Sequence, residues 1–187
     1  MTALLAVAPD ARVFWIVRHP LDAICSLRVG ISKNWGHHPR PPDWRTWLHR
    51  PLVERCAHHW SFLNQAGIAQ IEDRAEVVHF ETMIGDPMSF ARSICALVGI
   101  DVHGESAAIL EWAARVQNTN NVAFVEANTS RNYSRRDHEV RIGRWRENLT
   151  GDEADRAWSI VSEPAKRFGY EQPDYLRSAA TVSGVMS

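Results

Sequence analysis

Cysteine is scarce in this chain of 187 residues, and long hydrophobic runs are missing. The cysteines cannot form a closed set of disulfides, and each lies in an apolar helical pattern; they are Cys25, Cys56 and Cys95. We therefore predict buried thiols in a reducing compartment, which indicates a cytoplasmic protein. Residues 1–8 are apolar but short and have no basic start, so the sequence predicts neither a signal peptide nor a membrane span.

Lysine is the rarest charged residue. Lys33 and Lys166 are the only lysines among 21 basic side chains, so nearly all of the positive charge is carried by arginine. The guanidinium group of arginine is suited to forked contacts with phosphate or sulfate. The formal net charge of -1 argues against a general nucleic-acid binder, which is usually basic over the whole domain, so no nucleic-acid partner is predicted.

Sequence patterns for a metal site and for a P-loop are also missing. No C-x-x-C or H-E-x-x-H occurs, and neighbouring residues on a helix point about 100° apart, so His37-His38 and His58-His59 are not expected to chelate a metal. None of the 10 glycines precedes Gly30, and G-x-x-x-x-G-K-[ST] occurs nowhere. The sequence therefore predicts no metal and no glycine-rich phosphate loop in these 187 residues.

The stretch from Val13 to Ser26 carries the clearest site pattern. Val13 to Val17 is a continuous apolar run with β-branched and aromatic residues, which predicts a buried strand. Arg18 ends the run, and Pro20 then opens a helical pattern at a position that tolerates proline. A cation at the carboxyl end of a strand, facing a helix N-terminus, is typical of ligand sites in α/β sheets. We therefore predict an anion site here, with phosphate as the expected ligand.

Strand and helix patterns alternate along the chain, which predicts an α/β fold with parallel strands. A second buried strand is expected at 75–80, and residues 81–87 are expected to form turns. Helices are predicted at 20–29, 52–71, 87–98 and 105–116, and from the Thr150–Glu153 capping box to Phe168. Residues 30–51 form a long loop, in which three tryptophans are expected to cover the core rather than line an acceptor pocket: Trp35, Trp44 and Trp47.

Three segments, in order, resemble the sulfotransferases that use PAPS, 3'-phosphoadenosine 5'-phosphosulfate. R-H-P-L-D-A-I-C-S is similar to the family's 3'-phosphate motif, in which a strand-end Arg and a Ser eight residues later hold that phosphate. V-V-H-F-E-T-M-I-G-D-P resembles its strand-and-turn segment, and R-I-G-R-W-R-E-N-L-T resembles its closing loop over the same phosphate. The resemblance covers about residues 2–170 and is closer to bacterial members than to animal cytosolic ones.

This resemblance implies a set of nucleotide-binding residues, which are Arg18, Ser26, Phe80, Arg141, Ile142 and Gly143. Phe80 stands where the family usually has Tyr, so a hydroxyl that helps to seat the nucleotide is missing. The family's basic-basic-Gly triplet is only approximated by Arg141-Ile142-Gly143. The arginine that contacts the 3'-phosphate is therefore open among three positions, Arg135, Arg136 and Arg141.

The resemblance also implies a helix-rich, P-loop-NTPase-like three-layer α/β sandwich with a parallel sheet. We expect it to be incomplete, because the N-terminal phosphate-loop strand and the segment with the catalytic base are not found in this chain. In related folds that strand lies between the two strands predicted here, so we expect exposed sheet edges and association into an oligomer. The predicted organisation is one partial sulfotransferase domain at 1–175 and a disordered tail at 176–187.

The implied function is transfer of a sulfuryl group from PAPS, as co-substrate, to a hydroxyl or amine. The acceptor is a small molecule, a lipid or a carbohydrate, and no metal is implied. The catalytic residues are not identified, and His19 is not expected to be the base. Two alternatives stay open: a nucleotide 3'-phosphate-binding module without catalysis, and a relative of the P-loop small-molecule kinases.

Overall fold

A computed structural model describes residues 6–28, 30–31, 35–71, 74–101 and 141–174. The chain divides into two compact units. The first comprises Met1–Arg18 and Ile68–Ile142, and the second His19–Gly67 and Gly143–Ser187. The elements, in chain order, are β1 (Val13–Val17), α1 (Pro20–Leu27), α2 (Leu52–Ile71), β2 (Ala75–His79), α3 (Phe80–Gly85), α4 (Pro87–Leu97), α5 (Trp145–Asn148) and α6 (Gly151–Arg167).

The first unit contains a parallel sheet, which among the described residues has two strands. β1 and β2 pair directly, in a register that runs from Val13 opposite Ala75 to Val17 opposite His79. The expectation that the two strands flank a position for a third is therefore wrong, because they hydrogen-bond to each other. The prediction of a helix-rich α/β fold with parallel strands is confirmed for the described residues, and the three-layer sandwich stays a prediction.

The segment after β2 differs from its prediction. Residues 80–85 form helix α3 rather than turns, with Ile84 buried on its inner side. The signals that suggested turns, Gly85-Asp86-Pro87, mark only the break between two helices. Asp86 caps the next helix, because its side chain accepts a hydrogen bond from the backbone N–H of Ser89, 3.0 Å away.

The second unit is built around α1 and α6. α1 packs against α5 and α6, and it buries four apolar side chains, Pro20, Leu21, Ile24 and Cys25. α6 begins at the predicted capping box, in which Thr150 and Glu153 bond reciprocally to each other's backbone N–H. Its inner face follows the helical period, with Ala154, Ala157, Trp158, Val161 and Ala165 buried.

Arg28, directly after α1, joins that helix to the start of α6. One guanidinium nitrogen lies 2.7 Å from a carboxylate oxygen of Glu153, and another donates to the backbone carbonyl of Asn148 at 2.9 Å. Since Glu153 also completes the capping box, one carboxylate stabilises both the helix start and the contact with Arg28. This end of α1 is therefore held close to the segment that follows α5.

The tryptophan-rich loop packs on α2 within the second unit. Trp35 is fully buried, and its indole N–H donates to Nδ1 of His59 at 3.1 Å. Trp47 stacks on His58 with ring centroids 4.1 Å apart, and His58 also bonds to Asp43. The expectation that these tryptophans cover the core is confirmed for Trp35, which has no exposed surface.

The three cysteines are free and buried, which confirms the prediction of buried thiols. Within the described stretches, no helix combines the length and the apolarity needed to cross a bilayer. Nor do the described side chains include three or more His, Cys, Asp or Glu residues grouped so as to hold a metal ion. The predicted helix at 105–116 and the predicted tail at 176–187 lie outside the described residues.

Candidate functional site

Arg18 lies where the sequence predicts it, directly after β1. Its guanidinium carbon lies 4.4 Å from the centre of the Phe80 ring, and Phe80 directly follows β2. Its Nη2 also donates to the backbone carbonyl of Arg141. Parallel pairing of β1 and β2 thus brings together three of the predicted site residues, Arg18, Phe80 and Arg141, all in the first unit.

The contact with Phe80 gives a physical role to the residue that replaces tyrosine. A guanidinium over an aromatic face is attracted by the negative face of the ring, and this attraction needs no hydroxyl. Burial lowers the pKa of the Arg141 guanidinium from its ordinary value. Arginine still remains charged at neutral pH, so this cluster keeps its positive charge.

Asp22 is the centre of a second cluster, in the second unit. The residue is 1% exposed, although it lies in the first turn of α1, and its carboxylate faces the closing segment. One carboxylate oxygen accepts the backbone N–H of Gly143 at 2.7 Å, and the other accepts the backbone N–H of Trp145 at 3.0 Å. A buried carboxylate that accepts two N–H bonds is well satisfied.

Gly143 makes this turn possible. Its φ of +80° lies in the left-handed region, which residues with a side chain rarely adopt. A Cβ placed on it would lie 2.7 Å from a guanidinium nitrogen of Arg146. The backbone conformation therefore requires the glycine, whereas the exposed Arg146 side chain can move aside.

The same turn carries Arg144, whose Nη1 donates to the hydroxyl of Ser26 at 3.1 Å. Arg144 is 7% exposed, whereas Ser26 is exposed, so the guanidinium reaches the surface at the serine. Ser26 therefore lies beside a cation of the closing segment, although that cation is not one of the predicted arginines. Arg135 and Arg136 lie outside the described residues.

Comparison with known protein families identifies the chain. A family model described as the sulfotransferase family matches residues 1–104, which is more than half of the sequence. The chain belongs to the sulfotransferase family. No curated protein and no solved structure gives a significant match. Members of this family transfer sulfuryl groups, and this general activity is the one that the comparison supports.

The match locates the predicted residues of this sulfotransferase relative to the shared region. Arg18, Ser26 and Phe80 lie inside residues 1–104, whereas Gly143 and Arg144 lie beyond them. Ile142 is half-buried between Arg141 and Gly143, and its role stays a prediction.

His19 packs against the rings of Trp145, Trp158 and Tyr170, with ring centroids 6.3, 6.1 and 5.4 Å away respectively.

Sequence reasoning missed Asp22 and Arg144 as site residues. Neither residue is among those that the resemblance implies, which places the arginine of the closing segment at Arg135, Arg136 or Arg141. The signal for Arg144 is its place in R-I-G-R-W, directly after the glycine that turns the chain. Its contact with Ser26 joins residues 118 positions apart, which no local pattern predicts.

Proposed function

We propose that this sulfotransferase uses PAPS as its co-substrate and binds the nucleotide's 3'-phosphate with Ser26 and Arg144. The observation that carries the proposal is the hydrogen bond between Arg144 and Ser26, the serine that lies eight residues after the strand-end Arg18. Guanidinium and hydroxyl groups both donate to phosphate oxygens, and the bonds from a guanidinium are charge-assisted. The pair therefore has the chemistry that a phosphate dianion requires.

For the remaining residues, the motif in the sequence is the main support. Arg18 ends β1 as the 3'-phosphate motif requires, and its contact with Phe80 orients the guanidinium. Arg141, Ile142 and Gly143 stand at the place of the family's phosphate-covering triplet. In this proposal Gly143 contributes its backbone turn, and Arg141 contributes a second positive charge in the closing segment.

These residues bind and orient the nucleotide rather than perform the transfer. In sulfuryl transfer the acceptor hydroxyl or amine attacks sulfur, the bond from sulfur to the bridging phosphate oxygen breaks, and the acceptor loses a proton to a base. The departing 5'-phosphate gains negative charge, which donors and cations must stabilise. The 3'-phosphate lies at the other end of the nucleotide, so its contacts supply affinity and alignment.

The proposed partners are PAPS and an acceptor that carries a hydroxyl or amine, from among small molecules, lipids and carbohydrates. The buried free thiols support a reducing compartment, as in the cytoplasm. A kinase of the P-loop type is disfavoured because the matching family model is that of the sulfotransferases.

A nucleotide-binding module without catalysis is the second candidate function. It is favoured by the lack of a G-x-x-x-x-G-K-[ST] pattern in the 187 residues. The two candidates share the 3'-phosphate site and differ only in turnover. Transfer of labelled sulfate from PAPS to a panel of hydroxyl and amine acceptors separates them: turnover supports the enzyme, and tight nucleotide binding without turnover supports the module.

Calorimetry with adenosine 3',5'-bisphosphate and adenosine 5'-monophosphate tests the site itself. We expect the bisphosphate to bind more tightly, and Arg144→Ala to weaken it by about 10- to 100-fold through loss of a charge-assisted bond. Ser26→Ala should weaken it about fivefold. Arg167→Ala removes an exposed arginine from the last turn of α6 and serves as the charge-matched control. Equal binding of the two nucleotides by the unmodified chain would refute the proposal.

A further inference from the structure

Asp22 is a buried charge whose place in the fold calls for an explanation. It is 1% exposed, on the first turn of a helix whose neighbouring side chains are apolar. Burying an ionised carboxylate costs free energy unless the group is hydrogen-bonded or paired. Both of its oxygens accept backbone N–H groups from the closing segment, those of Gly143 and Trp145. The charge is thus satisfied by the very turn that presents Arg144.

The two hydrogen bonds restrict that turn at both ends. Gly143 and Trp145 flank Arg144 directly, so the carboxylate holds the backbone on each side of the arginine. Gly143, at a φ of +80°, is the residue of this turn with the most backbone freedom, so its hydrogen bond to Asp22 is what fixes it, while α5 begins at Trp145. With both neighbours fixed, the arginine side chain leaves the backbone in one direction, toward Ser26, four residues after Asp22 on α1.

We infer that Asp22 is a positioning residue for the 3'-phosphate site, acting through Arg144. It does not touch the nucleotide; it holds Arg144 in the orientation that brings its guanidinium to Ser26. Residues four apart on a helix lie on one face, so Asp22 and Ser26 contact the turn from the same side of α1. Asp22 bonds to the backbone on each side of Arg144, and Ser26 bonds to its guanidinium. This inference rests on the proposed function, because it concerns the same phosphate site.

Asp22→Asn is the sharpest perturbation, because it keeps the size of the side chain. Asparagine has one carbonyl oxygen and one NH₂ group, so it accepts one backbone N–H and presents a donor to the other. One end of the turn is thereby released, and Arg144 loses its fixed orientation. Asp152→Asn, on the exposed first turn of α6, is the matched control.

The experiment compares the selectivity of the full chain for adenosine 3',5'-bisphosphate over adenosine 5'-monophosphate, measured by calorimetry. We expect Asp22→Asn to reduce this selectivity about tenfold, since it disturbs a charge-assisted contact, and Asp152→Asn to leave it unchanged. In the background of Arg144→Ala, Asp22→Asn should have little further effect, because both act through one contact. If the carboxylate only stabilised the fold, Asp22→Asn would weaken the binding of both nucleotides equally. Its effect would then add to that of Arg144→Ala.

The outcomes separate the inference from the proposed function. If the unmodified chain has no preference for the bisphosphate, the proposed function fails, and the inference fails with it. If the preference exists and survives Asp22→Asn, only the inference is overturned. Should Asp22→Asn fail to fold, hydrogen exchange of the unmodified chain decides: protected amides at Gly143 and Trp145 support the role of Asp22, and amides that exchange as freely as solvated ones overturn it.

Discussion

His59 makes the stability of the second unit depend on pH. The residue is 1% exposed on α2, and its Nδ1 accepts the indole N–H of Trp35, so the neutral imidazole is the form that fits. Burial, followed by the charges of His37, His58 and His38, lowers its pKa from 6.5 to about 4. Protonation would place a hydrogen on Nδ1 opposite the indole N–H and would charge a buried ring.

The sign of the effect follows from this lowered pKa. Between pH 6.5 and about 4, the unfolded chain binds a proton at His59 that the folded chain does not bind. The free energy of unfolding therefore rises with pH in this window. The contribution of His59 is complete above pH 6.5 and is lost as the pH falls toward 4, and its full size is about 3 kcal/mol.

Urea unfolding between pH 4.5 and 7.5, followed by tryptophan fluorescence, measures this dependence. In His59→Gln an amide oxygen accepts the indole N–H of Trp35 and does not titrate. Between pH 6.5 and 4.5, the free energy of unfolding of this variant should therefore fall by about 2 kcal/mol less than that of the unmodified chain. His49→Gln removes an exposed imidazole and is the control. If the free energy of unfolding changed with pH equally in the unmodified chain and in His59→Gln, the reasoning would be refuted.

Three further predictions concern the turn, the thiols and the sheet. Gly143→Ala should lower the free energy of unfolding by about 1–3 kcal/mol, because Gly143 has a positive φ. Gly151→Ala should not lower it, because a Cβ at Gly151 meets open space, and urea titration compares the two variants. Burial raises the pKa of Cys56 to about 12, so this thiol should resist a thiol reagent at pH 8 until urea unfolds the chain. Labelling of Cys56 in the folded chain as fast as a free small thiol is labelled would contradict this. Ile16 is 59% exposed on β1 and should support self-association. In light scattering, Ile16→Lys should reduce this association and Val7→Lys should not. An unmodified chain that is monomeric at high concentration would refute the prediction.

Much of the secondary structure follows from local pattern. The amphipathic period of α2 predicts its bounds, 52–71, and the Thr150–Glu153 capping box predicts where α6 begins. The apolar runs predict both strands to within one residue. These signals lie within a few residues of each other, so the chain carries them before any tertiary contact forms. The placement of Arg18 at the end of β1 belongs to the same class.

The direct pairing of β1 with β2 and the helix at 80–85 needed tertiary information. The apolar runs predict that both strands are buried, but Ile16 on β1 is 59% exposed. A strand's own residues also do not state which strand lies beside it. The tertiary burial of Ile84 favours helix α3, against the turn signals at Gly85-Asp86-Pro87. The strand pairing joins Val13 to Ala75, 62 positions away, which lies outside the window that the local pattern covers.

The candidate site divides in the same way. The sequence alone determined the strand-end Arg18, the serine eight residues later and the closing R-I-G-R-W segment, because each is a local motif. Only the tertiary structure decided that Arg144 is the arginine beside Ser26 and that Asp22 holds its turn. Those contacts join residues 118 to 123 positions apart, and they depend on how the buried carboxylate of α1 meets two backbone N–H groups. Residue spacing along the chain carries no information about contacts of that range.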